Sequence, residues 1–470
     1  MEMTTNLQVD VAIIGAGTAG LAAYRAARDA GARVLIIEGG DHGTTCARVG
    51  CMPSKLLIAA AEAAHGIGRA PGFGVHVDGN VRIDGREVMA RVKRERDRFV
   101  GFVLEAVDRI PESDRMEGFA RFVDRNTLEV NGRRVVAKST VIATGSRPSI
   151  PPIVKDLGDR LVVNDDVFEW DCLPRSVAVL GPGVIGLEIG QALARLGVRI
   201  VVLGRGGRLG PITDPYVHRA ALEAFGAQFH LDPDAHVSRV VRVGDEVEID
   251  YSDGGEKRTE RFDYVLAATG RIPNVDKLGL ENTGLERDAR GVPLFDRRTL
   301  QAGQSSIFIG GDVFDDAALL HEAADEGSIA GGNAARFPQV KPGLRRAPLG
   351  VVFTDPQIAI VGPGFASLKN SALAAGEVSF EDQGRARVML RNQGHLRVYG
   401  DPSTGRFLGA EMVGPDAEHI GHLLAWALQA RMTVSQMLEM PFYHPVVEEG
   451  LRTALRELDA HIKRSQAIAA

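Results

Sequence analysis

Short apolar runs alternate with longer stretches rich in alanine at the start of the chain. Residues 9–14 form an apolar run with a single aspartate, which is typical of a buried parallel strand. A glycine-rich turn follows, and the stretch that ends near Asp29 predicts a helix. Residues 34–37 are apolar again. This order of strand, helix and strand predicts a parallel α/β unit.

The first turn has the pattern GxGxxG, formed by Gly15, Gly17 and Gly20, and Glu38 closes the strand after the helix. Glycines let the backbone approach a diphosphate, whose charge the helix N-terminus favours. The acid can accept hydrogen bonds from ribose hydroxyls. The complete fingerprint is more specific than its glycines alone, and it predicts a dinucleotide-binding site.

A second fingerprint occupies residues 177–203. Its turn contains three glycines at the same spacing, Gly181, Gly183 and Gly186. Gly204 stands where the acid is expected, and Arg205 and Arg208 follow. An acid favours the 2′-hydroxyl of NAD, whereas arginine without the acid favours the 2′-phosphate of NADP. The alternative is that both arginines are exposed loop cations. The missing acid and the added cations point the same way, so we favour NADP.

Two of the three cysteines, Cys46 and Cys51, precede an Ala/Leu-rich run at residues 56–64 that predicts a helix. Pro53 suits the first turn of that helix, whose N-terminus favours a thiolate at Cys51. Cys46 can form a disulfide with it across a short loop. A zinc site usually needs four ligands, and only Cys172 remains among the thiols. A structural disulfide is not expected without secretory features. We therefore predict a redox-active pair, and we assign Cys172 no role.

Further strands are predicted at residues 133–136 and 140–145, and another at 307–312 ends in Gly-Gly-Asp. Asp312 can accept from a ribose or polyol chain, or alternatively cap the following segment. From about residue 348 the pattern changes. Strands are predicted at 351–356, 385–390, 395–399 and 407–413, followed by helices at 417–430, 434–440 and 446–461. We therefore predict a third, α+β domain.

The length of 470 residues suggests about three domains. We place the first dinucleotide-binding domain at 1–150, the second at 151–275, a return to the first at 276–347 and the C-terminal domain at 348–470. A net charge of −6 gives no reason to expect nucleic acid or an acidic membrane as partner. Residues 1–8 have no basic region and no apolar region of the kind that signal peptides contain, and no apolar run reaches membrane-spanning length, so we expect neither a signal peptide nor a membrane span. We expect a cytoplasmic enzyme or binding protein.

His444 precedes Pro445 near the C-terminus, and Glu449 lies in the first turn of a predicted helix. A histidine whose second ring nitrogen is oriented by a carboxylate can act as a general acid/base. Taken alone, a capping or surface histidine is the stronger interpretation. The neighbouring Glu448 is a second acid that can compete with Glu449 or raise the pKa of His444.

Together these motifs resemble the flavoprotein disulfide reductases, the class I pyridine nucleotide-disulfide oxidoreductases, and most closely the dihydrolipoyl dehydrogenases. The similarity extends over nearly the whole chain. Besides the first fingerprint with Glu38, it rests on Cys46-Ala-Arg-Val-Gly-Cys51-Met-Pro-Ser-Lys55, Gly183-Val-Ile-Gly-Leu-Glu188, Ala268-Thr-Gly-Arg-Ile-Pro-Asn274, Gly310-Gly-Asp312, Val351-Val-Phe-Thr-Asp-Pro356 and His444-Pro445 with Glu449. The resemblance implies an α/β fold, with two Rossmann-like dinucleotide-binding domains and a C-terminal α+β dimerisation domain.

The resemblance also implies that FAD binds the first fingerprint and NAD(P) the second. Cys51 is then the thiol beside the flavin, where it forms a thiolate–flavin charge-transfer state, and Cys46 exchanges with the substrate sulfur. Lys55 and Glu188 resemble the family's ion pair beside the flavin ring. Residues expected to contact a cofactor also include Thr45, Lys55, Ala143, Thr144, Gly145, Arg205, Gly270, Arg271 and Asp312.

In the family, a histidine at the place of His444 takes and returns the thiol proton, and an acid at the place of Glu449 orients it. That histidine comes from the other subunit, so the resemblance implies a homodimer. Here Val446, Val447 and Glu448 replace the family's usual residues, and an arginine lies between the cysteines. These departures argue against the housekeeping role in a 2-oxoacid dehydrogenase complex.

We expect an FAD enzyme that exchanges electrons between NAD(P)(H) and a small-molecule or protein-bound disulfide of the lipoamide type. The alternative is an NADPH-dependent reductase of another disulfide, a quinone or a metal ion. Mercuric reductases carry an extra C-terminal cysteine pair, which residues 464–470 lack. A non-catalytic redox-sensing flavoprotein is the third interpretation, although a pure binder has no need of two cysteines, a histidine and its acid.

Overall fold

The computed structural model describes residues 6–314 and 319–469, which form two compact units. The first unit contains residues 6–53, 93–149 and 270–345, without 315–318, and the second contains residues 54–92, 150–269 and 346–469. Each compact unit combines parts of several of the four predicted domain segments. The boundaries of those segments therefore stay a prediction.

The strands of the described chain are numbered in order. They are β1 (Leu7–Ile14), β2 (Val34–Glu38), β3 (Arg115–Glu117), β4 (Ala120–Phe122), β5 (Thr127–Val130), β6 (Arg133–Ile142), β7 (Ser146–Pro148), β8 (Leu161–Val162), β9 (Ser176–Leu180), β10 (Arg199–Leu203), β11 (His230–Asp232), β12 (His236–Val243), β13 (Glu246–Asp253), β14 (Glu256–Phe262), β15 (Tyr264–Ala267), β16 (Arg271–Pro273), β17 (Ile307–Ile309), β18 (Leu349–Val352), β19 (Gln357–Val361), β20 (Ala374–Ser379), β21 (His395–Gly400) and β22 (Phe407–Gly414).

The α-helices of the same residues are α1 (Thr18–Asp29), α2 (Thr45–Val49), α3 (Cys51–Arg69), α4 (Gly85–Asp108), α5 (Asn164–Val167), α6 (Val184–Arg195), α7 (Pro215–Gly226), α8 (Leu320–Arg336), α9 (Phe365–Leu368), α10 (Gly384–Val388), α11 (Ala417–Gln429), α12 (Val434–Leu438) and α13 (Glu449–Ala469). Within the described residues, none of these helices is long and apolar enough to cross a membrane.

The first compact unit is built on a seven-stranded sheet in the order β3-β2-β1-β6-β5-β4, with β17 beside β6. Strands β1, β2, β6 and β17 pair in parallel, so their carboxyl ends meet at one edge. Helix α1 packs closely on α8, because a Cβ at Gly327 would lie 2.1 Å from the carbonyl oxygen of Ala19. This sheet edge is where ligands bind in open parallel α/β sheets.

Strand β6 corrects the sequence prediction, which had separate strands at 133–136 and 140–145. It is one strand that pairs parallel with β1 from Val135 to Ile142. On its other side, residues 133–136 pair antiparallel with β5 and residues 140–142 pair parallel with β17. Lys138 interrupts the apolar run, but it points to a salt bridge with Asp10 rather than ending the strand. A single polar residue therefore does not mark a strand boundary.

The second compact unit contains a parallel sheet, β11-β10-β9-β15-β8, that carries the second fingerprint. A three-stranded sheet, β12-β13-β14, and a five-stranded antiparallel sheet, β18-β19-β22-β21-β20, complete the unit. Helix α13 packs against β20, where a Cβ at Gly376 would lie 2.2 Å from the carbonyl oxygen of Ala454. This part is the predicted α+β domain.

The strand predicted at 385–390 is wrong, because residues 384–388 form helix α10. The alternation of arginine with small or apolar residues imitated a half-buried strand. In the structure the Gln383 side chain caps the helix by accepting from the Ala386 N–H at 2.7 Å. Ala386 is fully buried, whereas Val388 is exposed, so these two residues do not share one face as they would in a strand.

Candidate active site

The first fingerprint closes tightly around its glycines. Gly15 has φ +106°, and a Cβ there would lie 2.4 Å from the carbonyl oxygen of Ala143 at the end of β6. A Cβ at Gly20 would lie 1.9 Å from the carbonyl oxygen of Gly15. Gly17, by contrast, faces open space. The turn thus needs its first and third glycines for packing, and its second glycine lies where a diphosphate can approach the helix N-terminus.

Glu38 is fixed by the backbone around it. Its Oε2 accepts from the Ala16 N–H at 2.7 Å, and its Oε1 accepts from the Gly40 N–H at 2.8 Å. The carboxylate lies beside a cavity of about 410 Å³. Apolar side chains form one part of its lining: Ile36, Val107, Ile110, Met116 and Val130. An acid next to an apolar recess suits the ribose and adenine of a dinucleotide.

Two buried polar atoms support a flavin dinucleotide at this edge. His42 lines the same cavity, and its Nδ1 is buried without a hydrogen-bond partner among the described residues. The Oγ1 of Thr144, in the turn after β6, is likewise buried with no partner in the described chain. Because buried polar atoms are normally satisfied, both atoms fit a site that a polar cofactor completes. Thr144 was expected from sequence at such a site, whereas His42 was not.

The cysteine pair lies on two consecutive helices. Cys46 is half-buried in the first turn of α2, and the exposed Cys51 is the first residue of α3, as the sequence predicted. The segment that carries Cys46 is a helix rather than the expected short loop. Gly50 joins the two helices, and a Cβ there would lie 2.9 Å from the carbonyl oxygen of Thr45. A side chain at residue 50 would therefore collide with the first turn of α2.

The loop before Cys46 contains a strained residue, Thr44, and an acid, Asp41, that forms an ion pair with Arg48. Thr44 has φ +61° and ψ 148°, a region that is essentially reserved for glycine, and its side chain accepts from the Ala47 N–H at 3.3 Å. Arg48, which the sequence placed as a cation beside the cysteines, donates to Asp41 at 2.7 Å. Its charge is therefore matched by an acid of the same loop.

Lys55 and Glu188 form the ion pair that the resemblance implies, with 2.7 Å between Nζ and Oε2. The Glu188 side chain is only 6% exposed, and its second oxygen accepts from the Phe353 N–H at 2.9 Å. The Lys55 ammonium also lies 4.6 Å from the centre of the Phe353 ring. A buried carboxylate with a cation and a backbone donor is fully compensated. The position of this pair beside a flavin stays a prediction.

The second fingerprint repeats the geometry of the first. Gly181 has φ +107°, and a Cβ there would lie 2.4 Å from the carbonyl oxygen of Ala268. A Cβ at Gly186 would lie 2.0 Å from the carbonyl oxygen of Gly181, while Gly183 faces open space. This turn also connects a parallel strand to a helix N-terminus, β9 to α6. It has the shape of a second dinucleotide site.

The expected cofactor contacts beyond the two turns are spread over both units. Arg205 is exposed in the second unit, in the loop after β10. Gly270 and Arg271 belong to the first unit, where Arg271 donates to the Ser146 hydroxyl at 2.8 Å and to the Ser146 carbonyl at 2.7 Å. Arg271 is therefore bound within its own unit.

Asp312 follows the end of β17 after Gly311, whose φ is +82°. The Gly311 N–H donates to the buried carboxylate of Glu326 at 2.9 Å. Asp312 does not cap α8, because that helix begins at Leu320 with Leu319 as its N-cap. The capping alternative concerned the segment directly after Asp312, part of which lies outside the described residues. That alternative and the contact of Asp312 with a cofactor both stay predictions. Glu326 was not expected from sequence.

His444 is paired with Glu449 as the sequence suggested. Its Nδ1 lies 3.0 Å from Oε2 and 3.1 Å from Oε1 of Glu449, which is the first residue of α13. The hydrogen bond from His444 is the main cause that holds the pKa of Glu449 below its ordinary value. The His444 side chain is 80% exposed. With Nδ1 engaged, Nε2 is the nitrogen that can exchange a proton.

Comparisons with known proteins agree with these features. Residues 9–327 match the family model described as pyridine nucleotide-disulphide oxidoreductase, and residues 349–455 match its dimerisation domain. A dihydrolipoyl dehydrogenase from Haloferax volcanii is 32% identical over 95% of this chain and 95% of that protein. A mercuric reductase from Shigella flexneri is 30% identical over 97% of this chain and 81% of that protein. The structure of LpdA from Mycobacterium tuberculosis has a TM-score of 0.81 at 26% identity, covering 96% of this chain and 99% of that one.

The chain therefore belongs to the pyridine nucleotide-disulphide oxidoreductase family. It is an FAD-dependent disulfide oxidoreductase similar to the dihydrolipoyl dehydrogenases, and it uses a pyridine nucleotide. The predicted fold class is confirmed. The dimerisation domain supports the predicted homodimer.

Proposed function

We propose that this chain is a dihydrolipoyl dehydrogenase-type enzyme that moves an electron pair between a lipoamide-type dithiol and NADP. The observation that carries the proposal is the position of Cys51 as the first residue of α3, with Cys46 on the short helix before it. A helix N-terminus stabilises a thiolate, which is the reactive form in thiol–disulfide exchange. The similarity to the dihydrolipoyl dehydrogenase of Haloferax volcanii supports the choice of dithiol.

The exchange needs only the two sulfurs of this chain and the two of the substrate. One substrate thiolate attacks Cys46 Sγ, the Cys46–Cys51 bond breaks, and Cys51 leaves as a thiolate. The second substrate sulfur then attacks the sulfur that is bound to Cys46. The substrate closes as a disulfide, and Cys46 leaves as a thiolate that takes a proton. The substrate dithiol is oxidised by two electrons, and the cysteine pair is reduced by two.

His444 is the base that we assign to the substrate thiol. Free thiols are mostly protonated near pH 7, so attack requires that a proton is removed first. Glu449 holds Nδ1 of His444, which presents Nε2 to the thiol and stabilises the imidazolium that forms. As the resemblance implies, His444 would serve the cysteine pair of the partner subunit.

The two fingerprints would hold the two nucleotide cofactors. FAD suits the first, with Glu38, Thr144 and His42 around it, and when bound it would carry the electron pair between the cysteines and the nicotinamide. The pyridine nucleotide suits the second, and we favour NADP because Gly204 stands where an acid is expected and Arg205 is exposed beside it. We place the enzyme in the cytoplasm.

An anaerobic titration tests the proposal. Dihydrolipoamide is added to the oxidised holoprotein, and the flavin absorbance is recorded before and after NADP⁺ is added. We expect a new long-wavelength absorbance with the wild type and with Cys172→Ser, and none with Cys46→Ser. NADP⁺ should then reverse the change faster than NAD⁺ does. A flavin that NADPH reduces but dihydrolipoamide does not would overturn the lipoamide assignment.

The mercuric reductases at 30% identity support a second candidate, the reduction of a metal ion. The same preparation decides between the two. Oxidation of NADPH is followed with lipoamide, a mercuric salt or a benzoquinone as the acceptor. If the mercuric salt or the quinone is turned over and lipoamide is not, the chain is a reductase of the alternative kind.

A further inference from the structure

The end of β10 differs from the end of β2 in a way that bears on nucleotide choice. Both strands follow a fingerprint helix, and Glu38 and Gly204 occupy the corresponding places after it. Glu38 is anchored by the N–H of Ala16, the residue between the first two glycines of its turn. The residue at that place in the second turn is Pro182. Proline has no N–H, so this turn cannot hold a carboxylate in the same way.

Pro182 also takes up space beside Gly204. A Cβ at Gly204 would lie 2.7 Å from Cγ and 2.8 Å from Cδ of Pro182, and 2.5 Å from the carbonyl oxygen of Pro233. Contacts below 3.0 Å require that atoms move, and neither a proline ring nor a backbone carbonyl moves freely. Gly204 does not have a positive φ, so the obstacle is steric and not conformational. With the Pro182 ring and the Pro233 carbonyl in these positions, no side chain fits at residue 204.

The surrounding backbone is tied down on both sides. The Gly210 N–H donates to the Pro182 carbonyl at 2.7 Å, which fixes the proline. The Gly204 N–H donates to the Asp232 carbonyl at 2.7 Å, and the Gly207 N–H donates to the Pro233 carbonyl at 3.1 Å. Moving the turn at Pro233 away from residue 204 would break these bonds. These hydrogen bonds therefore keep Pro182 and Pro233 in the positions that block a side chain at residue 204.

We propose that Pro182 is a specificity-determining residue that excludes an acid from the end of β10 and leaves the 2′ position of the nucleotide to the cationic loop at Arg205. This deepens the proposed preference for NADP and rests on it. Arg205 forms no ion pair within the described residues, so its charge is available to a phosphate. Asp234, the residue after Pro233, accepts from the Gly206 N–H at 2.7 Å.

Calorimetric titration of the oxidised holoprotein with NADP⁺ and NAD⁺ tests the proposal without turnover. Gly204→Glu should weaken NADP⁺ binding by roughly tenfold or more, as overpacking does, and should not tighten NAD⁺ binding. Pro182→Ala restores an N–H and removes the ring. The double variant Pro182→Ala with Gly204→Glu should therefore bind NAD⁺ at least about tenfold more tightly than Gly204→Glu alone.

Gly226→Glu is the matched control. It adds the same side chain to the same unit at the end of α7, where a Cβ meets no atom within 4 Å. Its dissociation constants should stay within about twofold of the wild type. Flavin content and the melting temperature of each variant show whether it is folded.

Three results separate the possibilities. If Gly204→Glu alone binds NAD⁺ more tightly, the site is open and the proposal is wrong. If Pro182→Ala adds nothing to Gly204→Glu, the block belongs to Pro233 and Pro182 does not determine specificity. A wild type that prefers NAD⁺ would overturn the NADP assignment, while the coupling between residues 182 and 204 would still be measured independently.

Discussion

Two adjacent carboxylates near His444 have different surroundings. Glu449 begins α13 and accepts from His444, and its Oε2 also accepts from the Val446 N–H at 3.3 Å. Glu448 precedes the helix and contributes no hydrogen bond to His444 in the described structure. The sequence alone left open which acid orients the histidine. In the structure it is Glu449 that orients His444, because the Val446 N–H fixes the Glu449 carboxylate within reach of the imidazole.

Replacing each acid by its amide tests this assignment. Glu449→Gln removes the charge that stabilises the imidazolium, so the rate of reduction by dihydrolipoamide should fall about tenfold or more. Glu448→Gln makes the same chemical change one residue away and should alter the rate by less than about twofold. The measurement is stopped-flow absorbance of the holoprotein from pH 6 to pH 9. Equal effects of the two substitutions would show that Glu449 has no special role.

The elements that sequence predicts well are those whose pattern is local. Each fingerprint places its glycines, helix and strands within a short stretch, and the structure has them where the pattern indicated. Strand β6 was divided in two because its partners, β1 on one side and β5 and β17 in succession on the other, are brought together only by folding. Helix α10 was missed because five residues contain too little of a period to distinguish helix from strand.

The same distinction applies to the candidate site. Cys51 at a helix N-terminus and Glu449 beside His444 follow from short spacing. The recess that contains His42 combines residues of β2, α4 and β3 with the strand β5, and no spacing in the sequence links them. Glu326 likewise meets Gly311 only because α8 returns to the end of β17. Contacts of this kind depend on packing between distant segments, which a single sequence does not reveal.

Helix α8 carries a buried carboxyl group, that of Glu326, which makes the stability of the first unit depend on pH. Burial raises the pKa of Glu326 to about 7 from its ordinary 4.5, although the Gly311 N–H and the Arg345 guanidinium both oppose the rise. Arg345 lies 2.8 Å from Oε1 of Glu326 and also contacts Glu322 at 3.1 Å. A carboxyl whose pKa is higher in the folded state binds its proton more tightly there. Its contribution is therefore complete below pH 4.5 and is lost as the pH rises through 7.

Glu326→Gln should remove this dependence. Between pH 5 and pH 8 the wild type should lose up to about 3 kcal/mol of unfolding free energy through Glu326, and the amide variant should not. Glu87→Gln, at an exposed glutamate in the first turn of α4, is the matched control and should keep the wild-type dependence. Urea unfolding of the holoprotein at several pH values measures the difference. Parallel pH profiles for wild type and Glu326→Gln would contradict the assignment.

At the scale of the whole molecule, the proposed chemistry requires two chains. The dimerisation-domain match covers residues 349–455, which include His444 and the helix α11. Within this range Trp426 is 71% exposed and Tyr443 is 80% exposed. Large aromatic side chains are enriched in protein interfaces, and these two lie in the segment that matches the dimerisation domain. We therefore expect these two aromatic residues to be covered in the homodimer.

Trp426→Glu tests that expectation, because a charge buried in a dimer interface without a partner is costly. The variant should sediment as a monomer at micromolar concentration, keep its affinity for NADP⁺, and lose reduction by dihydrolipoamide if His444 acts on the cysteines of the other chain. Phe119→Glu replaces an aromatic residue that is 79% exposed but lies outside the dimerisation domain, and it should remain dimeric and active. A monomeric Trp426→Glu that still reacts with dihydrolipoamide at the wild-type rate would place all catalytic groups within one chain. A dimeric Trp426→Glu would instead place α11 outside the interface.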